Sequence, residues 1–234
     1  MILNRSLWPT ASSRTASPAR RCWGPTPCAF SGRTDPLSVR KSALSSCAGR
    51  PAKGEKMVFI ETERLVLRNT AAKDADSMFD YRSSEICAKY QRGQTKELDG
   101  IRRLIEHRQN DVISVDAPFM LSAALKQSDE MIGEIVVMPE DGVISMGYTF
   151  HYRCHRQGYA YEALTALMDL LHKRYPSWAF VCFTEPENAP SMALLKKLGY
   201  EDLGYLPDIG SQVFSKWTTP AVGAKLARTA GGKG

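Results

Sequence analysis

The chain has 234 residues, 43% of them hydrophobic, which is enough for one domain with a substantial core. No run approaches the roughly 18 uninterrupted apolar residues of a spanning helix, so no membrane partner is expected. The net charge of +6 divides unevenly: residues 1–56 hold ten basic residues against Asp35 and Glu55, and the remainder holds 21 basic against 23 acidic. The body is slightly acidic, so the charge gives no support to a nucleic-acid partner, which would need a basic face on the folded part.

Residues 1–56 are rich in Ser, Arg, Ala and Pro and show no sustained period, which predicts a disordered leader. An Arg-rich, Ser-rich, acid-poor leader resembles a mitochondrial transit peptide. The competing reading is an upstream extension of a cytoplasmic protein, because Met57 opens Met-Val-Phe-Ile-Glu-Thr-Glu-Arg-Leu in the manner of a natural start. Cys22, Cys28 and Cys47 lie in the leader, and Cys87, Cys154 and Cys182 in the body. None forms a close pair, so neither a disulfide framework nor a structural zinc site is indicated.

The folded body is expected over residues 57–218, with 219–234 a disordered tail. Leu65 and Leu67 alternate with Arg64, Val66 and Arg68 as in a first strand. Thr70 is placed to cap a helix carrying Met78 and Phe79, and Leu98, Ile101, Leu104, Ile105 and Arg108 mark a second, amphipathic helix. Strands follow at Phe119–Leu125, Met131–Met138 and Val143–Phe150, the last two joined by an Asp141-Gly142 hairpin turn. The period then changes: Ala160, Leu164, Leu167, Met168 and Leu171 share a helix face that ends before Pro176. Trp178–Thr184 reads as a strand buried on both faces, and Asn188 caps a helix with Pro190 in its first turn and Gly199 past its end. Short strands near Tyr200–Tyr205 and Gln212–Trp217 complete an α/β (α+β) fold, one mixed sheet with helices on its faces.

The densest chemistry lies in Phe150-His151-Tyr152-Arg153-Cys154-His155-Arg156-Gln157-Gly158-Tyr159-Ala160-Tyr161-Glu162-Ala163-Leu164. A strand ends, a basic loop follows, and a helix opens at a glycine. Unpaired N–H groups and a positive dipole end suit that helix start to phosphate. The plainer alternative is a turn glycine flanked by solvated arginines. Glu187-Asn188-Ala189-Pro190-Ser191-Met192-Ala193-Leu194-Leu195-Lys196-Lys197-Leu198-Gly199-Tyr200 follows one strand later.

Together these two segments resemble the GNAT acetyltransferases, particularly the branch that acetylates protein N-termini, including those of ribosomal proteins. The matching patterns are basic-x-Gly-Tyr-Ala-x-Glu-Ala-Leu and Glu-Asn-x-x-Ser-x-x-Leu-Leu-x-Lys-Leu-Gly-aromatic. Thr62-Glu63-Arg64-Leu65-Val66-Leu67-Arg68 and Ile132-Gly133-Glu134 resemble earlier strands of that family.

The resemblance implies a sheet, mostly antiparallel, splayed at its middle to admit acetyl-CoA. Tyr148, Thr149 and Phe150 would pair with the pantetheine arm through their backbone. Backbone amides of Arg156, Gln157, Gly158, Tyr159 and Ala160 would hold the pyrophosphate, and Asn188 would bond the pantetheine region. The implied reaction moves an acetyl group to a primary amine, a protein N-terminus or a small molecule, in a monomer or homodimer. Many relatives carry a tyrosine general acid seven residues after the asparagine; here that residue is Leu195, so the acid is either another group, such as Ser191, or water. Glu134 is the candidate base, against a plain reading as a solvent-facing strand residue, with Glu185 and Glu187 as alternatives. A catalytically silent acyl-CoA-binding module is the competing function. His151, Cys154 and His155 lack an evident fourth ligand, so no metal is expected.

Overall fold

The computed structural model describes residues 57–91, 93–220 and 222–224; the expected leader lies outside them. Strands β1 (Val58–Glu61) and β2 (Leu65–Arg68) lead into helices α1 (Ala75–Ser83), α2 (Glu85–Ala88) and α3 (Leu98–Arg108). Strands β3 (Phe119–Leu125), β4 (Met131–Glu140) and β5 (Val143–Phe150) follow, then α4 (Tyr159–Arg174) and β6 (Ala179–Thr184). The order ends with α5 (Ala189–Lys197), β7 (Glu201–Leu206) and β8 (Ser211–Lys216). One eight-stranded sheet runs β1-β2-β3-β4-β5-β6-β8-β7.

Strand alternation feeds the two faces of this sheet. Phe119, Leu121 and Ala123 of β3 join Ile135, Val137, Met146 and Phe180 beneath Leu164, Leu167, Met168 and Leu171 of α4. Met120 and Met131 face the other way, onto Met78 and Tyr81 of α1 and Ile101 and Ile105 of α3. β6 is buried along its whole length, as its apolar run predicts.

The β4–β5 turn has Asp141 at φ 49° and Gly142 at φ 79°, the two left-handed residues that a tight hairpin needs. The one parallel pair is β5 with β6, and it holds only at Val143–Ala179 and Ile144–Phe180. Beyond that point β5 runs on to Phe150 and β6 to Thr184 without pairing to each other, so the sheet opens at its centre.

Several local expectations change. Thr70 does not cap α1: a 3-10 turn at Ala72–Asp74 intervenes, and Thr70 is buried with its hydroxyl unpartnered. Asp74 dominates this corner, because its carboxylate accepts two bonds from the buried Arg68 guanidinium, at 2.6 and 2.8 Å, and one from the Ala71 amide at 2.8 Å. Met78 is fully buried but its neighbour Phe79 is 39% exposed, since successive helical residues cannot share a face. The edge strand β1 and the single-turn α2 carry too little periodicity to read in advance. Packing also continues past the boundary expected at 218: Val222 is buried against Val143, Ala179 and Val213.

Candidate active site

The opening between β5 and β6 leads into a cleft of about 760 Å³. Its walls are Tyr148, Thr149 and Phe150 of β5, the loop and first turn from His155 to Tyr161, one face of α5, and Cys87, Tyr90 and Gln91 around α2. Eight of the nine residues expected to touch acetyl-CoA line this space, along with Ser191. The ninth, Gln157, lies outside the lining; its side chain donates to the Arg153 carbonyl at 2.7 Å and its own carbonyl accepts from Arg64 at 3.0 Å.

At the mouth, Gly158 is the N-cap of α4 with φ 84° and ψ −3°. A left-handed residue there turns the first amides of α4 outward, and glycine adopts it without penalty. Arg156 is also left-handed, at φ 61°, a sparsely populated conformation for a residue with a side chain and one that concentrates at binding sites. A three-residue clamp fixes this loop from below. Thr62 donates to Glu162 Oε1 at 2.6 Å, the Arg64 amide to the same oxygen at 2.9 Å, and Arg64 Nε to Oε2 at 2.7 Å. Burial alone would raise the Glu162 carboxyl, but the bonds from Thr62 and Arg64 outweigh it and hold the group below its ordinary value. The Arg64 guanidinium then caps the Tyr159 ring at 4.3 Å.

Along the gap, the β5 carbonyls of Met146, Tyr148 and Phe150 face away from β4. An i, i+2 series shares one strand edge. Each is met by a side chain: Met146 by Cys182 at 3.9 Å, Tyr148 by the Gln91 amide at 3.1 Å, Phe150 by His155 at 2.9 Å and Cys87 at 3.3 Å. Tyr90 reaches across to donate to the Glu187 carbonyl at 3.0 Å. Residues around α2 thus bridge the two sides of the opening.

At the inner end, the Tyr148 hydroxyl and Ser191 Oγ are 2.8 Å apart, and the Ser191 amide donates to Asn188 Oδ1 at 3.2 Å. Burial pushes the Tyr148 phenol well above its ordinary value, against a smaller lowering effect from Ser191. Tyr148 therefore stays protonated at neutral pH, and either hydroxyl of the pair can donate to the other. Leu195 is 1% exposed in the core beneath α5 and offers no proton to the cleft.

Glu134, the expected base, is neither in the cleft nor at the surface. It is 1% exposed on the α1 side of β4. Arg82 grips both of its oxygens, at 3.0 and 2.6 Å, and the Gln94 amide donates to Oε1 at 3.0 Å. Both oxygens are thus engaged on the side of the sheet away from the cleft, out of reach of a substrate amine there. Glu134 lies on the face of β4 that α1 covers, so neither the cleft nor solvent reaches it, which the sequence did not reveal. Gln94 also donates to Thr149 Oγ1 at 3.1 Å, so Glu134 braces the floor of the cleft from behind.

His151 and His155 are committed elsewhere, to Asp80 at 3.0 Å and to the Phe150 carbonyl at 2.9 Å. Among the described residues, no group of three His, Cys, Asp or Glu is arranged to hold a metal ion. Tyr90, Gln91 and Cys87 were not anticipated, because α2 is a single turn without periodicity. Lys197 also lines the cleft; its place in the second motif was the one available signal.

Comparison with known proteins agrees with this geometry. The family described as "Acetyltransferase (GNAT) domain" matches residues 64–201. The chain is 30% identical over 156 residues to the N-acetyltransferase p20 of Bacillus licheniformis, spanning 65% of this chain and 87% of that protein. In structure it is similar to the ribosomal-protein-S5-alanine acetyltransferase of Vibrio fischeri, with TM-score 0.53 and 18% identity over 68% of this chain and 98% of that one. It is also similar to the microcin C7 self-immunity acetyltransferase MccE, solved with acetyl-CoA and AMP. There the TM-score is 0.57, with 16% identity over 66% of this chain and 93% of that one. At such identities the two structures speak for the fold. No described helix is long and apolar enough to cross a membrane.

Proposed function

The chain belongs to the GNAT acetyltransferase family, and from that premise we propose that it binds acetyl-CoA in the central cleft and transfers the acetyl group directly to a primary amine. The observation that carries this reading is the charge of the cleft. Arg156 and Lys197 line it beside the amides at the start of α4, and among the described residues no Asp or Glu lines it. Such a lining favours a polyanion at the mouth. The gap-facing carbonyls of Tyr148 and Phe150 offer the strand edge on which the pantetheine amides would pair, displacing Gln91 and His155.

In the reaction the amine nitrogen attacks the thioester carbonyl, the C–N bond forms, the C–S bond breaks, and the thiolate takes up a proton while the amine loses one. Tyr148 and Ser191 bring two hydroxyls to the inner end of the cleft, where they would donate to the leaving sulfur. With Glu134 held by Arg82, the amine proton passes to water, which can relay it to Glu185 or Glu187 of the β6–α5 turn outside the cleft lining. The acceptor is a protein N-terminus or a small-molecule amine. The microcin and ribosomal-protein enzymes named above share this fold while their names point to different acceptors, so the fold leaves the choice open.

Leu195 favours a second reading, an acyl-CoA-binding module without catalysis, because it removes the family's usual proton donor. Thiol release from acetyl-CoA, followed over a panel of N-terminal peptides and small amines with mass spectrometry of the products, separates the two. Turnover on one acceptor class supports the enzyme, and tight binding with no turnover on any acceptor leaves the module. Gly158→Asp tests the cleft itself: a carboxylate facing the pyrophosphate, on a residue strained at φ 84°, is expected to weaken acetyl-CoA binding about tenfold or more. Unchanged affinity would overturn the placement.

A further inference from the structure

The cations around the cleft differ in one respect. Arg64 is paired with Glu162 at 2.7 Å, Lys196 with Asp202 at 3.1 Å, and Lys216 donates to the Leu198 carbonyl at 2.5 Å. Among the described residues, only Arg156 and Lys197 of the lining cations have no acidic partner, and Lys197 alone of the two rests on an aromatic ring. Its Nζ lies 4.4 Å over the Tyr161 ring and it lines the cleft. A lysine in the last turn of a helix commonly just answers the helix dipole. Lys196 fits that description, pointing outward to Asp202, but Lys197 reaches across to a different helix.

Tyr161 explains where that charge is held. It stands three residues after Gly158 on α4, so it belongs to the same face of the first turn. Side chains on a helix lean toward its N-terminus, so the Tyr161 ring covers the turn that begins at Gly158. The ring therefore holds the Lys197 ammonium over the end of α4 that carries the unpaired amides. α5 gives the direction of the ligand. Ser191, Leu194 and Lys197 recur every three residues along its cleft-lining side, with Asn188 and Ser191 at its start, Ser191 beside Tyr148, and Lys197 as its last residue. The span from Asn188 to Lys197 is about 13 Å.

Given the acetyl-CoA reading above, on which this inference rests, we propose that Lys197, presented by Tyr161, is the counterion of the ribose 3′-phosphate of coenzyme A and makes the site discriminate coenzyme A from its 3′-dephospho form. The phosphates of this ligand differ in what they need. Those of the pyrophosphate bridge carry one negative charge each and suit the diffuse positive end of α4. The 3′-phosphomonoester carries about −1.5 to −2 at neutral pH and needs a compact cation. It also lies at the far end of the ligand from the thioester, as Lys197 lies at the far end of α5 from Ser191. An exposed ammonium already resting on an aromatic ring loses less freedom on binding than one waving in solvent.

The test is calorimetric titration of the full chain with coenzyme A and with 3′-dephospho-coenzyme A. The wild type is expected to prefer coenzyme A by about tenfold or more. Lys197→Met keeps the side chain on Tyr161 but removes its charge; it should bring the preference to within about twofold, the loss falling far more on coenzyme A than on its dephospho form. Lys197→Arg should restore most of the preference. A Lys197→Met loss that falls equally on both ligands, or an undiminished preference, overturns the assignment, as does a preference that disappears in Arg156→Met instead. Failure of the wild type to bind either ligand would sink the acetyl-CoA reading itself, an outcome distinct from a normal affinity without discrimination.

Discussion

The Tyr148 hydroxyl lies 2.8 Å from Ser191 Oγ, so a single hydrogen bond ties β5 to α5 across the gap where β5 and β6 have parted. Two residues far apart in sequence thus bring two hydroxyls together in the cleft, and on the proposed reading they supply the donor that Leu195 does not. Acting as a pair, they should fail as a pair. Tyr148→Phe and Ser191→Ala are each expected to lower kcat about a hundredfold with KM for acetyl-CoA changed by less than about threefold, and the double variant should be little worse than either. Steady-state thiol release measures this. Wild-type kcat in Tyr148→Phe would remove the phenol from the reaction.

Arg82 and Glu134 form an ion pair with both side chains nearly fully buried, 4% and 1% exposed. Breaking such a pair strands a charge away from water, whereas replacing both members with apolar groups does not. Arg82→Leu should therefore lower the unfolding free energy by about 3–5 kcal/mol, and the Arg82→Leu, Glu134→Leu double variant should recover much of that loss. Urea denaturation decides it. If Glu134 only braces the cleft, Glu134→Gln lowers stability while kcat per folded molecule stays within about tenfold of wild type; a fall of about 10²-fold or more, the usual effect of losing a general base, would return it to the chemistry.

Those two sites also mark where the sequence was readable and where it was not. The turn at Gly158 was legible because its signals are local: a glycine at a strand-to-helix junction, small and basic neighbours, and a helical period beginning one residue later. The second helix was legible for the same reason, through Asn188, Pro190 and Gly199. The opening of the sheet came with the family resemblance rather than with any period. Glu134 was not legible. Alternation says that it faces away from Ile135, but whether that face meets water or a helix depends on how α1 docks from 52 residues away. The Tyr148–Ser191 bond, spanning 43 residues, was hidden in the same way, and α2 is too short to show a period at all.

Cys182 gives the fold a pH limit that is separate from catalysis. It is fully buried in the core under α4, with its thiol 3.6 Å from the Tyr200 hydroxyl. Burial pushes the thiol from 9.0 up to about 11, against a smaller lowering by the Tyr200 hydroxyl. The folded state therefore keeps this proton at pH values where the unfolded chain has released it. Fewer protons on the unfolded chain mean that stability falls as pH rises, by about 1.4 kcal/mol per pH unit for one group. For Cys182 this loss begins near pH 9 and is complete near pH 11. Above pH 10 the phenols of half-buried Tyr148 and buried Tyr200, both raised by desolvation, add to it. Urea denaturation in reducing buffer at pH 7.5, 9, 10 and 10.5 should show a flat region and then a steepening decline. Cys182→Ala should start less stable, because it leaves a small void, but lose less between pH 9 and 10.5. If the two curves run parallel through that window, the Cys182 proton is not what the folded state retains.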